Sequence, residues 1–112
     1  MSLASRNAVR EVETRADMDA LLRERVAFVL VYAPWCGHCK RFRPVFAEAA
    51  AASAVPYYEV KDEIAKELGN MPFAEVSSFP TVFLMRSGRA ADVHHGGDKF
   101  EAFIQRAIAR TA

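Results

Sequence analysis

The chain has 112 residues, 52% hydrophobic and 26% charged, with 15 basic against 14 acidic side chains. That length suits one domain with a real core, and the composition argues against disorder. A net charge of +1 gives no electrostatic reason to expect nucleic acid or an anionic membrane as partner. No apolar run approaches the roughly 20 residues that span a bilayer. The N-terminus lacks the basic-then-apolar pattern of a secretory leader, and Ala109-Arg110-Thr111-Ala112 is not a retention tetrapeptide. Met1-Ser2-Leu3 reads as an added start. Residues 1–6 are therefore expected to be a flexible or appended lead-in to a single domain over 1–112, a piece of a longer precursor.

In chain order, Val9 to Val12 reads as a short edge strand, and Thr14, Asp17 or Asp19 as the cap of a helix carrying Met18, Leu21 and Leu22 on one face. Val26 to Ala33 is a continuous apolar run, the pattern of a strand buried on both faces. Residues from Cys36 to about Ala52 are expected to be helical, with Phe42, Val45, Phe46 and Ala49 spaced at three and four, and with Pro44 inside as a kink. Pro56 to Val60 is the next strand, and Asp62 to Leu68 a helix ended by Gly69-Asn70. Thr81 to Met85 and Ala90 to His94 form a hairpin about Ser87-Gly88, and Gly96-Gly97 breaks the second arm. Phe100, Phe103, Ile104, Ala107 and Ile108 mark a final amphipathic helix. The order β-α-β-α-β-α-β-β-α predicts an α/β fold, a mixed central sheet with helices on both faces.

The two cysteines, the only ones in the chain, stand as Trp35-Cys36-Gly37-His38-Cys39-Lys40 between the apolar run and the helix that follows. So close a pair cannot staple a fold; it leaves catalysis, redox sensing or metal binding. A helix start carries unsatisfied N–H groups and partial positive charge, which stabilise a thiolate there. Because the thiolate is the attacking species, Cys36 becomes a low-pKa nucleophile, and Cys39, one turn on, can attack back and release a mixed disulfide. Zinc would need two further ligands. His94-His95 is the sole candidate pair, and neighbours in a strand point to opposite faces, so no metal is assigned. These histidines read instead as surface residues at a strand end. The clusters Arg23-Glu24-Arg25 and Lys40-Arg41-Arg43 read as solvated faces, the second also raising the potential near Cys36.

Tyr32-Ala33-Pro34-Trp35-Cys36-Gly37-His38-Cys39-Lys40 resembles the catalytic domain of a protein disulfide isomerase, within the thioredoxin superfamily, and Ser78-Phe79-Pro80-Thr81 resembles that family's cis-proline motif. The likeness extends from about Val9 to Arg110. It implies a thioredoxin fold and thiol–disulfide exchange on protein or peptide clients, with no metal and no organic cofactor, only the Cys36-Cys39 dithiol or disulfide. By resemblance, Cys36 is the exposed attacking thiol, Cys39 the buried resolving thiol, and Gly37 and His38 part of the catalytic loop, His38 stabilising the thiolate by charge and hydrogen bonding. Trp35 and Pro80 border the client groove, and the Phe79 backbone pairs with an extended client as an added strand. Pro80 is expected to be cis on this resemblance alone, trans being the ordinary state. The implied protein is a monomer with an unidentified redox-recycling partner. It would work in the endoplasmic reticulum lumen or another oxidising secretory compartment, with a cytosolic reductase as the alternative. Reductants of the family lie near about −270 mV and isomerases near about −180 mV, a gap of roughly 4 kcal/mol for two electrons.

The chain departs from the family pattern twice. The acid usually buried six positions before the first cysteine is Leu30 here. Glu59, on the neighbouring strand, is the candidate to take over proton relay to Cys39; the competing reading is a simply solvated Glu59, because glutamate is rarely buried unpaired. The arginine that isomerase domains often carry in the last loop corresponds to Asp98, with Lys99 beside it as a candidate substitute. A client-binding module with slow redox chemistry is the rival of another class.

Overall fold

The computed structural model describes residues 7–111, so the expected lead-in over residues 1–6 lies outside the described residues. The strands are β1 (Arg10–Glu11), β2 (Val26–Tyr32), β3 (Tyr57–Lys61), β4 (Thr81–Arg86) and β5 (Arg89–His95). The helices are α1 (Arg15–Arg23), α2 (Gly37–Ala51), α3 (Asp62–Leu68) and α4 (Phe100–Thr111). The sheet order is β1-β3-β2-β4-β5. β1, β3 and β2 run parallel, and β4 and β5 antiparallel to their neighbours, which makes the mixed sheet that the element order implies.

β2 organises the interior. Every side chain from Ala27 to Tyr32 is buried, because helices cover both faces of the sheet. Alternation sends Phe28, Leu30 and Tyr32 to one core, with α2 and α4, and Ala27, Val29 and Val31 to the other, with α1 and α3. In the first core Phe42 and Phe46 of α2 meet Phe100 of α4 at ring separations of 4.9 and 5.9 Å. Each such ring contributes about 1.5–3 kcal/mol by leaving water. In the second, Met18 and Leu21 of α1 and Ala65 of α3 pack on Val29 and Val31.

Helix ends follow local chemistry. Thr14 is the N-cap of α1: its Oγ1 accepts from the Asp17 N–H at 3.1 Å, and the Asp17 carboxylate accepts from the Thr14 N–H at 3.1 Å. Asp17 is thus the reciprocal partner and not the cap itself. Gly69 closes α3 at φ 75°, a left-handed conformation that suits a residue without Cβ. α2 runs through Pro44 as one helix. A three-residue 3-10 turn, Phe73–Glu75, precedes β4 and buries Phe73; no periodicity in three residues announces it. Two X-Pro bonds are cis, Met71–Pro72 and Phe79–Pro80.

Candidate active site

The apolar β2 ends at Tyr32, and Ala33-Pro34-Trp35 carries the chain to Cys36, the N-cap of α2. No acidic residue lies in the first turn of α2, so nothing there competes with a sulfur anion for the free N–H groups. The Cys36 thiol is held below its ordinary value. The main cause is the Cys39 backbone N–H aimed at the sulfur, aided by the Cys39 thiol, the His38 backbone N–H and the Arg41 charge, while partial desolvation opposes them. Burial pushes Cys39 the other way, to about 11, reinforced by the neighbouring Cys36. The two sulfurs are therefore differentiated by environment: the anion is favoured at Cys36 and disfavoured at Cys39.

Cys36 is 9% exposed and Cys39 1%. Cys36 is thus less open than an exposed thiol, because its Sγ sits 3.8 Å from the Phe79 carbonyl oxygen at the cis-Pro80 bond. Trp35, by contrast, is 72% exposed and meets the Phe79 ring edge-on at 6.0 Å. Phe79 and Pro80 line a groove of about 550 Å³ together with His38, Arg41, Phe42 and His95. Gly97 closes one wall, where a Cβ would stand 3.2 Å from the Phe42 ring. Asp98 borders this groove, and Lys99 immediately precedes α4 with φ 60° and its carbonyl accepting from Phe103. Of the two histidines of β5, His95 is exposed at the strand end as expected, with Nδ1 3.3 Å from Thr81 Oγ1, whereas His94 is half-buried, stacks on Phe103 at 5.1 Å and bonds the Asp98 carbonyl oxygen. Among the described residues no group of three or more His, Cys, Asp or Glu side chains is placed to hold a metal, and no helix is long and apolar enough to cross a membrane.

Glu59 pairs in register with Leu30 and, by alternation with Tyr57, faces the α2 side of the sheet. It is 9% exposed and not solvated: Arg43 grips it with Nε at 3.2 Å and Nη2 at 2.6 Å. Arg43 is exposed, as expected of that helix face, yet its guanidinium packs 4.2 Å over the Tyr32 ring, and its charge also lowers the cost of a Cys39 thiolate. Across the sheet, Glu11 of β1 is the register partner of Glu59 and accepts from the Tyr32 hydroxyl at 3.0 Å. Burial and the adjacent Glu59 carboxylate raise Glu11 to about 7, with Tyr32 and Arg43 opposing. Sequence reasoning missed Glu11 and Arg43. Arg43 was legible as one helical turn beyond Cys39; Glu11 depends on the β1–β3 register, which no local pattern encodes.

The thioredoxin family model matches residues 9–109. The chain belongs to the thioredoxin family. It is 36% identical over 91 residues to protein disulfide-isomerase 1 of Caenorhabditis elegans, covering 78% of this chain and 19% of that protein. It is 37% identical over 86 residues to protein disulfide isomerase-like 1-1 of Arabidopsis thaliana, covering 72% and 17%. The chain thus spans about a fifth or less of these relatives. Among solved structures it is similar to the reduced thioredoxin pre-protein of Schistosoma mansoni, with a TM-score of 0.76 at 23% identity over 89% of this chain and 98% of that one. A poplar thioredoxin h gives 0.77 at 20% identity over 95% and 99%. These two share its fold. Thioredoxin-family domains act on protein thiols and disulfides through a cysteine dithiol and without a bound cofactor, and the Cys36-Cys39 pair has the required spacing.

Proposed function

We propose that this domain catalyses thiol–disulfide exchange on protein clients in the manner of a protein disulfide isomerase, introducing or rearranging disulfides. The observation that carries this reading is the split between the sulfurs: Cys36 lowered at a helix start, Cys39 raised to about 11 beneath it. The Cys36 thiolate attacks a client disulfide. A Cys36–client bond forms, and the other client sulfur leaves as a thiolate and takes a proton. Cys39 then gives up its proton and attacks the Cys36 sulfur, which frees the second client sulfur and leaves the Cys36–Cys39 disulfide; the client gains two electrons. Run backwards, the same steps oxidise a client dithiol.

Gly37 and His38 complete the loop around the sulfur, the His38 N–H adding to its stabilisation. Trp35, Phe79 and Pro80 form the client surface, the extended client segment pairing with the Phe79 backbone. Cys39 needs a proton acceptor before it can attack. Glu59 takes that relay, held on the α2 side of the sheet by Arg43, whose charge also bears on Cys39. The protein works as a monomer in an oxidising secretory compartment, where a separate redox partner resets the dithiol.

An exchange assay on scrambled or reduced client, with Cys36→Ser as control, tests the reading: activity that vanishes in the variant supports it, and activity that survives overturns it. A reduction potential near about −180 mV supports the isomerase form, and one near about −270 mV replaces it with a reductase. Glu59→Gln should slow turnover and shift its pH profile; an unchanged profile removes Glu59 from the relay.

A further inference from the structure

The imidazole between the two cysteines invites reading as the positive partner of the thiolate, but its contacts place the charge elsewhere. His38 and Arg41 sit three apart on α2 and so share a helix face. Arg41 Nη2 lies 2.9 Å from His38 Nδ1. A guanidinium offers N–H donors only and keeps its proton at any physiological pH. Nδ1 must therefore be the acceptor, and a ring nitrogen that accepts carries no proton of its own. The ring is then the neutral tautomer, with its proton on Nε2. The guanidinium also lies near the loop: a Cβ built on Gly37 would stand 3.6 Å from Arg41 Nη1.

We propose that Arg41 is a positioning residue for the exchange reaction: it anchors His38 as the neutral Nε2–H tautomer and supplies the fixed positive charge beside the Cys36 sulfur. Its charge is among the influences that favour the thiolate, after the N–H groups of the loop. The arrangement gives the site a cation separate from the imidazole, and leaves Nε2–H as a neutral donor at the groove that His38 lines. His95 and Asp98, the other titratable groups lining that groove, belong to β5 and the loop after it and stay unchanged in the test variants.

The inference rests on Cys36 as the nucleophile proposed above, but its first readout needs no turnover. Histidine-labelled reduced protein is compared by long-range 15N–1H spectra at neutral pH, as wild type, Arg41→Gln and Arg41→Lys, with Arg23→Gln as a distant equal change of charge. Wild type and Arg23→Gln should show His38 as a single Nε2–H tautomer; Arg41→Gln should show tautomer averaging. The Cys36 thiolate titration, followed by ultraviolet absorbance, should move up by about 0.5–1 pH unit in Arg41→Gln and recover at least half of that in Arg41→Lys. A wild-type His38 protonated on Nδ1, or an Arg41→Gln midpoint within about 0.2 unit of wild type, overturns the inference. Either result alongside intact Cys36-dependent exchange would sink this inference and leave the proposed function standing.

Discussion

Replacing Glu11 by glutamine should make the domain more stable at pH 8 while changing it little at pH 5. In the folded chain the Glu11 carboxyl is raised from 4.5 to about 7, first by burial and then by the Glu59 carboxylate beside it. A raised acid means that the native state binds more protons than the unfolded one between those two values. Stability therefore falls as pH climbs from about 4.5 to 7 and is flat above that window. The full shift would correspond to about 3 kcal/mol at 1.36 kcal/mol per unit. The Glu11 side chain is 27% exposed and Arg43 stands 3.9 Å away, so solvent and the cation reduce that to about 1–2 kcal/mol. Glutamine keeps the shape and the acceptor for the Tyr32 hydroxyl but cannot ionise. Urea unfolding at pH 5, 6, 7 and 8 gives the comparison. Wild type should lose about 1–2 kcal/mol more than Glu11→Gln across the series. Parallel pH profiles for the two proteins would refute the carboxylate pairing of β1 and β3.

Arg43→Gln strips Glu59 of its two-pronged partner and should cost about 1–3 kcal/mol in urea unfolding, less than a fully buried pair because the arginine is partly exposed. The same variant should push the Cys39 thiol higher and slow resolution, seen as a longer-lived mixed disulfide in quenched reactions. Cys39→Ala should accumulate the Cys36–client mixed disulfide on non-reducing gels, whereas Cys36→Ala should accumulate none. Thr14→Ala removes the cap of α1 and should lower stability by about 1 kcal/mol without altering the Cys36 titration.

Much of the fold was legible because its signals are local. The unbroken run from Val26, the three-and-four spacing of Phe42 and Phe46, and the Ser87-Gly88 turn each name an element unaided. Asp62–Leu68 matched residue for residue because Gly69 ends it in a conformation that β-carbons resist. The dithiol was equally plain, its two residue types and spacing being the chemistry itself. What stayed hidden depends on pairing at a distance. Glu59 could be read from its own strand either as a relay beside Leu30 or as solvated, and only the parallel registers with β1 and β2 set it against Glu11 under the reach of Arg43. Cys36 looked more open than it is, because the carbonyl that covers its sulfur comes from Phe79, distant in sequence. His38 reads from sequence as a partner of the thiolate alone, and its contact with Arg41, one helical turn on, is a matter of side-chain placement.

The difference between the two sulfurs is the foundation for everything argued about chemistry. Site-specific titration of each thiol in the reduced domain, Cys36 by thiolate absorbance in Cys39→Ala and both by 13Cβ shifts in the unmutated chain, measures it directly. Cys36 should titrate below an ordinary cysteine and Cys39 well above it, near about 11. Two thiols titrating together near about 8.5, the value of an unperturbed cysteine, would contradict the account.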